Sequence, residues 1–180
     1  MAIEIEKKYR LRKEQREFVS EKLKEAGATF GGEDFEENIL YRGSALDEKN
    51  AVLRVRKIGE KAVLTYKRRI QNQFDIKQQI EYETLVENVN ELEKIIENLG
   101  FRKKLIYEKR RETWHFREVE IVLDELAFGI FMEIEGSVTA IVEAEMLLDI
   151  EDFEVEHKTY PHLTIEFGRE KDGIIEARFA

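Results

Sequence analysis

Ile3-Glu4-Ile5-Glu6-Lys7-Lys8-Tyr9 is the stretch whose reading decides the fold of this 180-residue chain. With the two-residue period of a strand, Ile3, Ile5, Tyr9 and Leu11 share one face, and Glu4, Glu6 and Lys8 share the other. Alternate strand residues lie ~6.5 to 7 Å apart, so two carboxylates and an ammonium are brought close together. Carboxylates at that separation repel unless a cation lies between them, and a divalent ion is the natural candidate. A single stretch of this kind is an ordinary solvated strand face. Here the pattern recurs on strand after strand.

Composition narrows the class. Hydrophobic residues make up 42%, enough to core one domain, so residues 1–180 are expected to form a single domain. Charged residues make up 38%, and the formal net charge of −9 argues against a nucleic-acid partner. A local basic site for phosphate is compatible with that balance. The chain has no cysteine, which excludes disulfides and thiolate chemistry. It shows no apolar leader and no run of ~18 apolar residues, so a cytoplasmic protein with no membrane partner is expected. His115, His157 and His162 lack the HExxH spacing of a histidine zinc site.

The periodicities give an order of elements. Lys13 to Ala26 reads as a helix stopped by Gly27, and residues 28–50 resist assignment apart from a strand over Phe35 to Tyr41. Gly43 to Asn50 reads as a loop. Ala51 to Arg56 and Ala62 to Lys67 form a hairpin about Gly59-Glu60, and Gln78 to Glu83 brings a second alternating acid pair. Asn90 with Glu93 resembles a capping box for a helix whose stripe is Leu92, Ile95, Ile96 and Leu99, ending at Gly100. Ile106 to Phe116, Val119 to Leu123 and Gly129 to Glu135 read as strands, Thr139 to Ile150 as a helix with Ile141, Ala144 and Leu148 inward. Glu143 and Glu145 on that helix read as a solvated face. The tail beyond His157 carries no clear signal.

The acids on strands between large apolar residues are Glu4, Glu6, Glu81, Glu83, Asp124, Glu133 and Glu135. The bases in the same setting are Lys8, Arg54, Arg56, Lys67, Lys109 and Arg111. An open sheet could leave these charges in solvent. The alternative is an α+β fold in which eight antiparallel strands close into a barrel, apolar outside under helices and charged in the lumen. Crowding like charges there costs stability unless ligands compensate, which points to use. Magnesium prefers carboxylate oxygens with phosphates, and arginine grips phosphate with a bidentate fork. Acid pairs facing a basic wall therefore suit a metal-bound polyphosphate. No Walker A or GxGxxG pattern is present.

At this point the residues resemble the CYTH family, the triphosphate tunnel metalloenzymes. The resemblance rests on ExExK (Glu4 to Lys8), LRxR (Leu53 to Arg56), LTxK (Leu64 to Lys67), an internal ExE (Glu81, Glu83), KxR (Lys109, Arg111) and a late segment from Leu123-Asp124-Glu125 through Gly129 to Glu133-Ile134-Glu135. It implies an eight-stranded tunnel, one or two Mg²⁺ or Mn²⁺ ions, and a small-molecule triphosphate substrate. It implies metal ligation by Glu4/Glu6 and Glu133/Glu135, assisted by Asp124 and Glu81/Glu83, with Glu4, Glu6 and Lys8 as the catalytic group. Lys8, Arg54, Arg56, Lys67, Lys109 and Arg111 would bind the triphosphate. Leu40-Tyr41-Arg42 departs from the aromatic-aromatic-Asp run of many members, which bears on substrate identity.

The activity expected is hydrolysis of a terminal phosphoanhydride. A class IV adenylate cyclase and a non-catalytic polyphosphate or nucleotide module are the alternatives, and both a monomer and a homodimer are compatible. No motif announces an adenine pocket, and Arg42 suits another phosphate better than a neutral base. Tripolyphosphate is therefore expected to be turned over in preference to ATP.

Overall fold

The computed structural model describes residues 2–70 and 77–180. In chain order the elements are β1 (Ala2–Leu11), α1 (Lys13–Glu25), β2 (Thr29–Arg42), α2 (Ser44–Glu48), β3 (Ala51–Ile58), β4 (Lys61–Ile70) and β5 (Lys77–Val86). Then come α3 (Val89–Asn98), β6 (Arg102–Phe116), β7 (Val119–Leu126), β8 (Gly129–Glu135), α4 (Val138–Leu148), α5 (Tyr160–Phe167), β9 (Arg169–Lys171) and β10 (Ile174–Ala177). Among the described residues, no helix is long and apolar enough to cross a membrane.

Eight strands close on themselves in the order β2-β3-β4-β5-β1-β8-β7-β6, and β6 returns to β2. All eight neighbouring pairs are antiparallel. The closing seam is long: β2 runs from Thr29 opposite His115 to Arg42 opposite Arg102, with two register shifts that bend it. Of the open sheet and the closed barrel that the alternating charges allowed, the barrel implied by the family resemblance is the one found. β1 lies at its centre, with Glu4 opposite Gln79 of β5 and Lys8 opposite Glu133 of β8.

Alternation sorts each strand between lumen and exterior. Outward from β1, Tyr9 and Leu11 join Trp114, Phe116, Ile121, Met132 and Ile134 in a core closed by Val19 and Leu23 of α1 and Ile141, Ala144 and Leu148 of α4. A second outer core sets Ile39, Tyr41 and Val55 against Ile96 of α3. Each such large side chain contributes about 1.5 to 3 kcal/mol when buried. These cores offset the cost of a charged interior.

Four expectations need correction. Gly43 to Asn50 is not simply a loop, because α2 forms within it. The cap of α3 is Asn88, whose side chain accepts the Glu91 backbone N–H, and not Asn90. The apolar stripe of α3 is only half used: Ile96 is buried, but Ile95 and Leu99 are 56% and 69% exposed. A ten-residue helix lying across a curved wall touches it along a narrow seam. Glu145 is not on a solvated face; it is buried, accepting from Lys7 Nζ and the Tyr9 hydroxyl, both at 2.5 Å.

The tail supplies what its sequence did not announce. Thr159 caps α5 by accepting the His162 N–H, and Pro161 falls in the first turn, where its missing N–H would be unpaired in any case. Tyr160 and Leu163 pack with Leu40, Leu105, Tyr107, Leu126 and Phe131. On β8, Phe131 shares its strand face with the cavity-lining Glu133, so α5 fills one end of the lumen with apolar side chains. β10 lies parallel to β6, with Ile175 opposite Leu105.

Candidate active site

A cavity of about 1140 Å³ runs inside the barrel. Twelve of the thirteen charged residues singled out by alternation line it, since Glu4, Glu6, Lys8, Arg54, Arg56, Lys67, Glu81, Glu83, Lys109, Arg111, Glu133 and Glu135 all contribute. The thirteenth, Asp124, shares the inward face of β7 with Glu120 and Val122 but is fully buried beneath Arg111 and Tyr160. Arg111 forks onto it with Nε–Oδ1 at 2.7 Å and Nη2–Oδ2 at 2.6 Å, and the Tyr160 hydroxyl donates to Oδ2 at 2.7 Å.

The charges face one another in cross-strand groups. Lys67 reaches Glu4 at 2.9 Å and Glu81 at 2.6 Å, and Gln79 donates to Glu4 at 2.7 Å. Lys8 pairs with Glu133 at 3.0 Å beneath the Tyr160 ring, whose centroid is 3.6 Å from the ammonium. Arg111 also donates to Glu133 at 2.8 Å. Arg54 donates to Thr65 at 3.1 Å and Glu83 at 3.3 Å, while its buried Nε has no hydrogen-bond partner among the described residues. An orphan donor inside a cavity is a place for a ligand oxygen.

Protonation follows from this crowding. Burial and a hydrogen bond to Glu4 push Glu81 up to about 8. Burial also works against the Glu4 carboxylate, but its bond with Glu81 and the charge of Lys67 hold it below the usual range. Glu135 is pushed up to about 7 by burial and by Glu4 and Glu120. Burial and the neighbouring Arg111 bring Lys109 down to about 8.

The donor set suits a hard cation: oxygen ligands alone, with like charges raising one another's pKa across the lumen. As arranged, no three acids among the described residues converge closely enough to hold an ion. Glu4 is drawn onto Lys67, and Glu133 onto Lys8 and Arg111.

Sequence reasoning passed over Glu36, Asn38 and Glu120, and gave Tyr160 no role in the site. Glu36 and Asn38 lie in the strand expected over Phe35 to Tyr41, on the same face as Leu40, but were not singled out there. Glu120 alternates with Val122 and Asp124 and was legible by the same rule. Tyr160 carried no periodic signal. Arg42 does line the cavity, but it pairs with Asp47 of α2 at 2.7 Å and donates to the Ala51 carbonyl. Its charge is therefore partnered, which weakens its assignment to a phosphate. Near it, Leu40, Val52, Leu105, Ile165 and Ile175 give the cavity apolar walls.

Comparison with known proteins agrees with this geometry. The model of the CYTH domain matches residues 2–171. A Methanocaldococcus jannaschii protein named "Putative adenylate cyclase MJ0240" is 29% identical over 150 residues, covering 82% of this chain and 84% of its own. The PH1012 protein of Pyrococcus horikoshii OT3 superposes with a TM-score of 0.77 at 26% identity, over 89% of this chain and 98% of that one. The Hippeastrum protein HpAC1, described as an adenylyl cyclase by name with a dominant triphosphatase activity, shares the fold. Its TM-score is 0.68 at 17% identity, over 92% of this chain and 96% of that one.

Proposed function

The chain belongs to the CYTH domain family, and on that premise we propose that it is a divalent-metal-dependent triphosphatase, cleaving the terminal phosphoanhydride of a triphosphate substrate. The observation that carries this reading is the lumen itself, where six bases and six acids of the expected set line one cavity. Arg54, Arg56 and Arg111 offer planar forks and Lys8, Lys67 and Lys109 point charges for a chain of phosphates. The orphan Arg54 Nε–H is free to donate to a phosphate oxygen without breaking an existing bond.

Glu4, Glu6, Glu133 and Glu135 would hold Mg²⁺ or Mn²⁺, with Glu81 and Glu83 beside them. Such an ion, when bound, supplies Lewis-acid neutralisation of phosphate oxygens. The chain's own bases orient the phosphates and neutralise the charge that builds on the leaving pyrophosphate as water attacks the terminal phosphorus in line. Phosphoryl transfer depends on such positioning and charge stabilisation more than on a protein nucleophile.

One observation favours a second reading, cyclisation of ATP. The apolar walls beyond the phosphate-facing bases offer room for an organic group, which the sequence did not announce. The two readings separate by product. Purified protein with Mg²⁺ is given ATP, thiamine triphosphate and inorganic tripolyphosphate. Orthophosphate release supports the triphosphatase; cyclic AMP with pyrophosphate from ATP, and no orthophosphate from any of the three, replaces it by the cyclase.

A further inference from the structure

Glu36 of β2 is 1% exposed and Asn38 is fully buried, and neither lines the cavity. Yet the Glu36 carboxylate lies 3.1 Å from Lys109 Nζ, 3.3 Å from Arg56 Nε and 4.0 Å from Arg111 Nε. These are three of the six bases assigned to the phosphates. Asn38 completes the arrangement: its Nδ2 donates to Glu36 Oε2 at 3.1 Å, and its Oδ1 accepts from Arg56 Nε at 3.3 Å. The register explains the convergence, because Glu36 stands opposite Lys109 of β6 and Asn38 opposite Arg56 of β3. β2 is the strand that closes the barrel, and from the seam these two side chains reach bases on both neighbours.

Three like charges gathered from the strands on either side of β2 repel, and long basic side chains left unpaired would spread over many rotamers. Asp124 restrains Arg111 and Lys109 from the β7 side. Arg56 is held directly by Glu36 and Asn38, each at 3.3 Å from its Nε. We propose that Glu36, seconded by Asn38, is a positioning residue that aims Arg56, Lys109 and Arg111 into the lumen without touching the substrate. The proposal rests on the triphosphate reading above and adds to it a residue that the signature motifs of the sequence do not include.

The proposal makes an unusual demand on sign. If Glu36 were only a counter-charge, removing it would make the wall more positive and tighten the binding of an anion. A positioning role requires the opposite. Inorganic tripolyphosphate is titrated calorimetrically into the metal-free full-length protein, and its turnover is followed with Mg²⁺. Glu36→Gln is expected to weaken binding about ten-fold, the scale of one hydrogen bond to a charged group. Glu36→Asp keeps the charge but withdraws it by one methylene, and an about three-fold loss is expected, a fraction of the same bond. In turnover, KM rises in parallel while kcat stays within about two-fold, because the bases hold ground state and transition state alike.

Equal or tighter binding by Glu36→Gln overturns the proposal, as does a fall in kcat at unchanged KM. Should Glu36→Gln fail to fold, Glu36→Asp decides, and an unchanged dissociation constant there refutes it. No binding or turnover by the unaltered protein removes the triphosphate reading and this inference with it, an outcome distinct from the others.

Discussion

At the scale of single residues, the lumen is held by opposed charges whose pKa values show which effect dominates at each site. Burial raises the Glu36 carboxyl, but Lys109, Arg56 and Arg111 outweigh it and hold the group well below its ordinary 4.5. The folded protein therefore binds this proton more weakly than the unfolded chain. The resulting stabilisation is fully present above the unfolded value and is lost as pH falls through the folded one. Glu36→Gln should lower the urea midpoint at neutral pH and flatten its fall on acidification between about pH 5 and 3. An acid limb as steep as that of the unaltered protein would show that the ion cluster does not contribute. Glu81 and Glu135 move the other way because burial raises them and neighbouring acids add to it. Two-residue alternation found both of these acids. It could not find Glu36, because the acids crowded between Glu33 and Glu37 obscured which of them faced inward.

At the scale of elements, the outer helices do more than cover apolar strand faces. α4 reaches β1 through Glu145, which accepts from Lys7 and Tyr9, while Glu6 and Lys8 point from the same strand into the lumen. The outward half of β1 is thus pinned, and the inward half carries the candidate catalytic group. Glu145→Ala leaves a buried hydroxyl and an ammonium without their shared acceptor, and should cost about 3 kcal/mol in urea unfolding at pH 7. A loss below about 1 kcal/mol would mean that water replaces the carboxylate there. This contact was not legible in advance. A helix with Ile141, Ala144 and Leu148 inward gives no sign that one of its acids turns inward with them, since the partners come from a strand 136 residues away. β1, β3 to β8 and α1 were legible because one face of each is apolar, whereas the first half of β2 and the tail strands β9 and β10 were not. α5 was not, because its short run acquires meaning only against Phe131 and Leu40 inside the barrel.

At the scale of the molecule, the sheet is an inverted barrel, with apolar clusters on the outside and paired charges in most of the interior. Twelve of the thirteen charges singled out by period-two alternation line the cavity, while closure was one of two arrangements that alternation allowed and was implied by the family resemblance. The apolar filling of one end and the walls beyond the bases were not legible, because they come from the tail and from contacts distant in sequence. Such a lumen is poised for a ligand that satisfies both signs of charge together. The most direct measurement is the melting temperature of the purified protein with Mg²⁺, with and without inorganic tripolyphosphate. At about 100 times its dissociation constant, tripolyphosphate should add about 2.7 kcal/mol of stability by mass action. Pyrophosphate, with fewer oxygens for the six bases, should raise the melting temperature less at the same concentration. An unchanged melting temperature with both compounds, in a folded sample containing metal, would contradict a triphosphate tunnel.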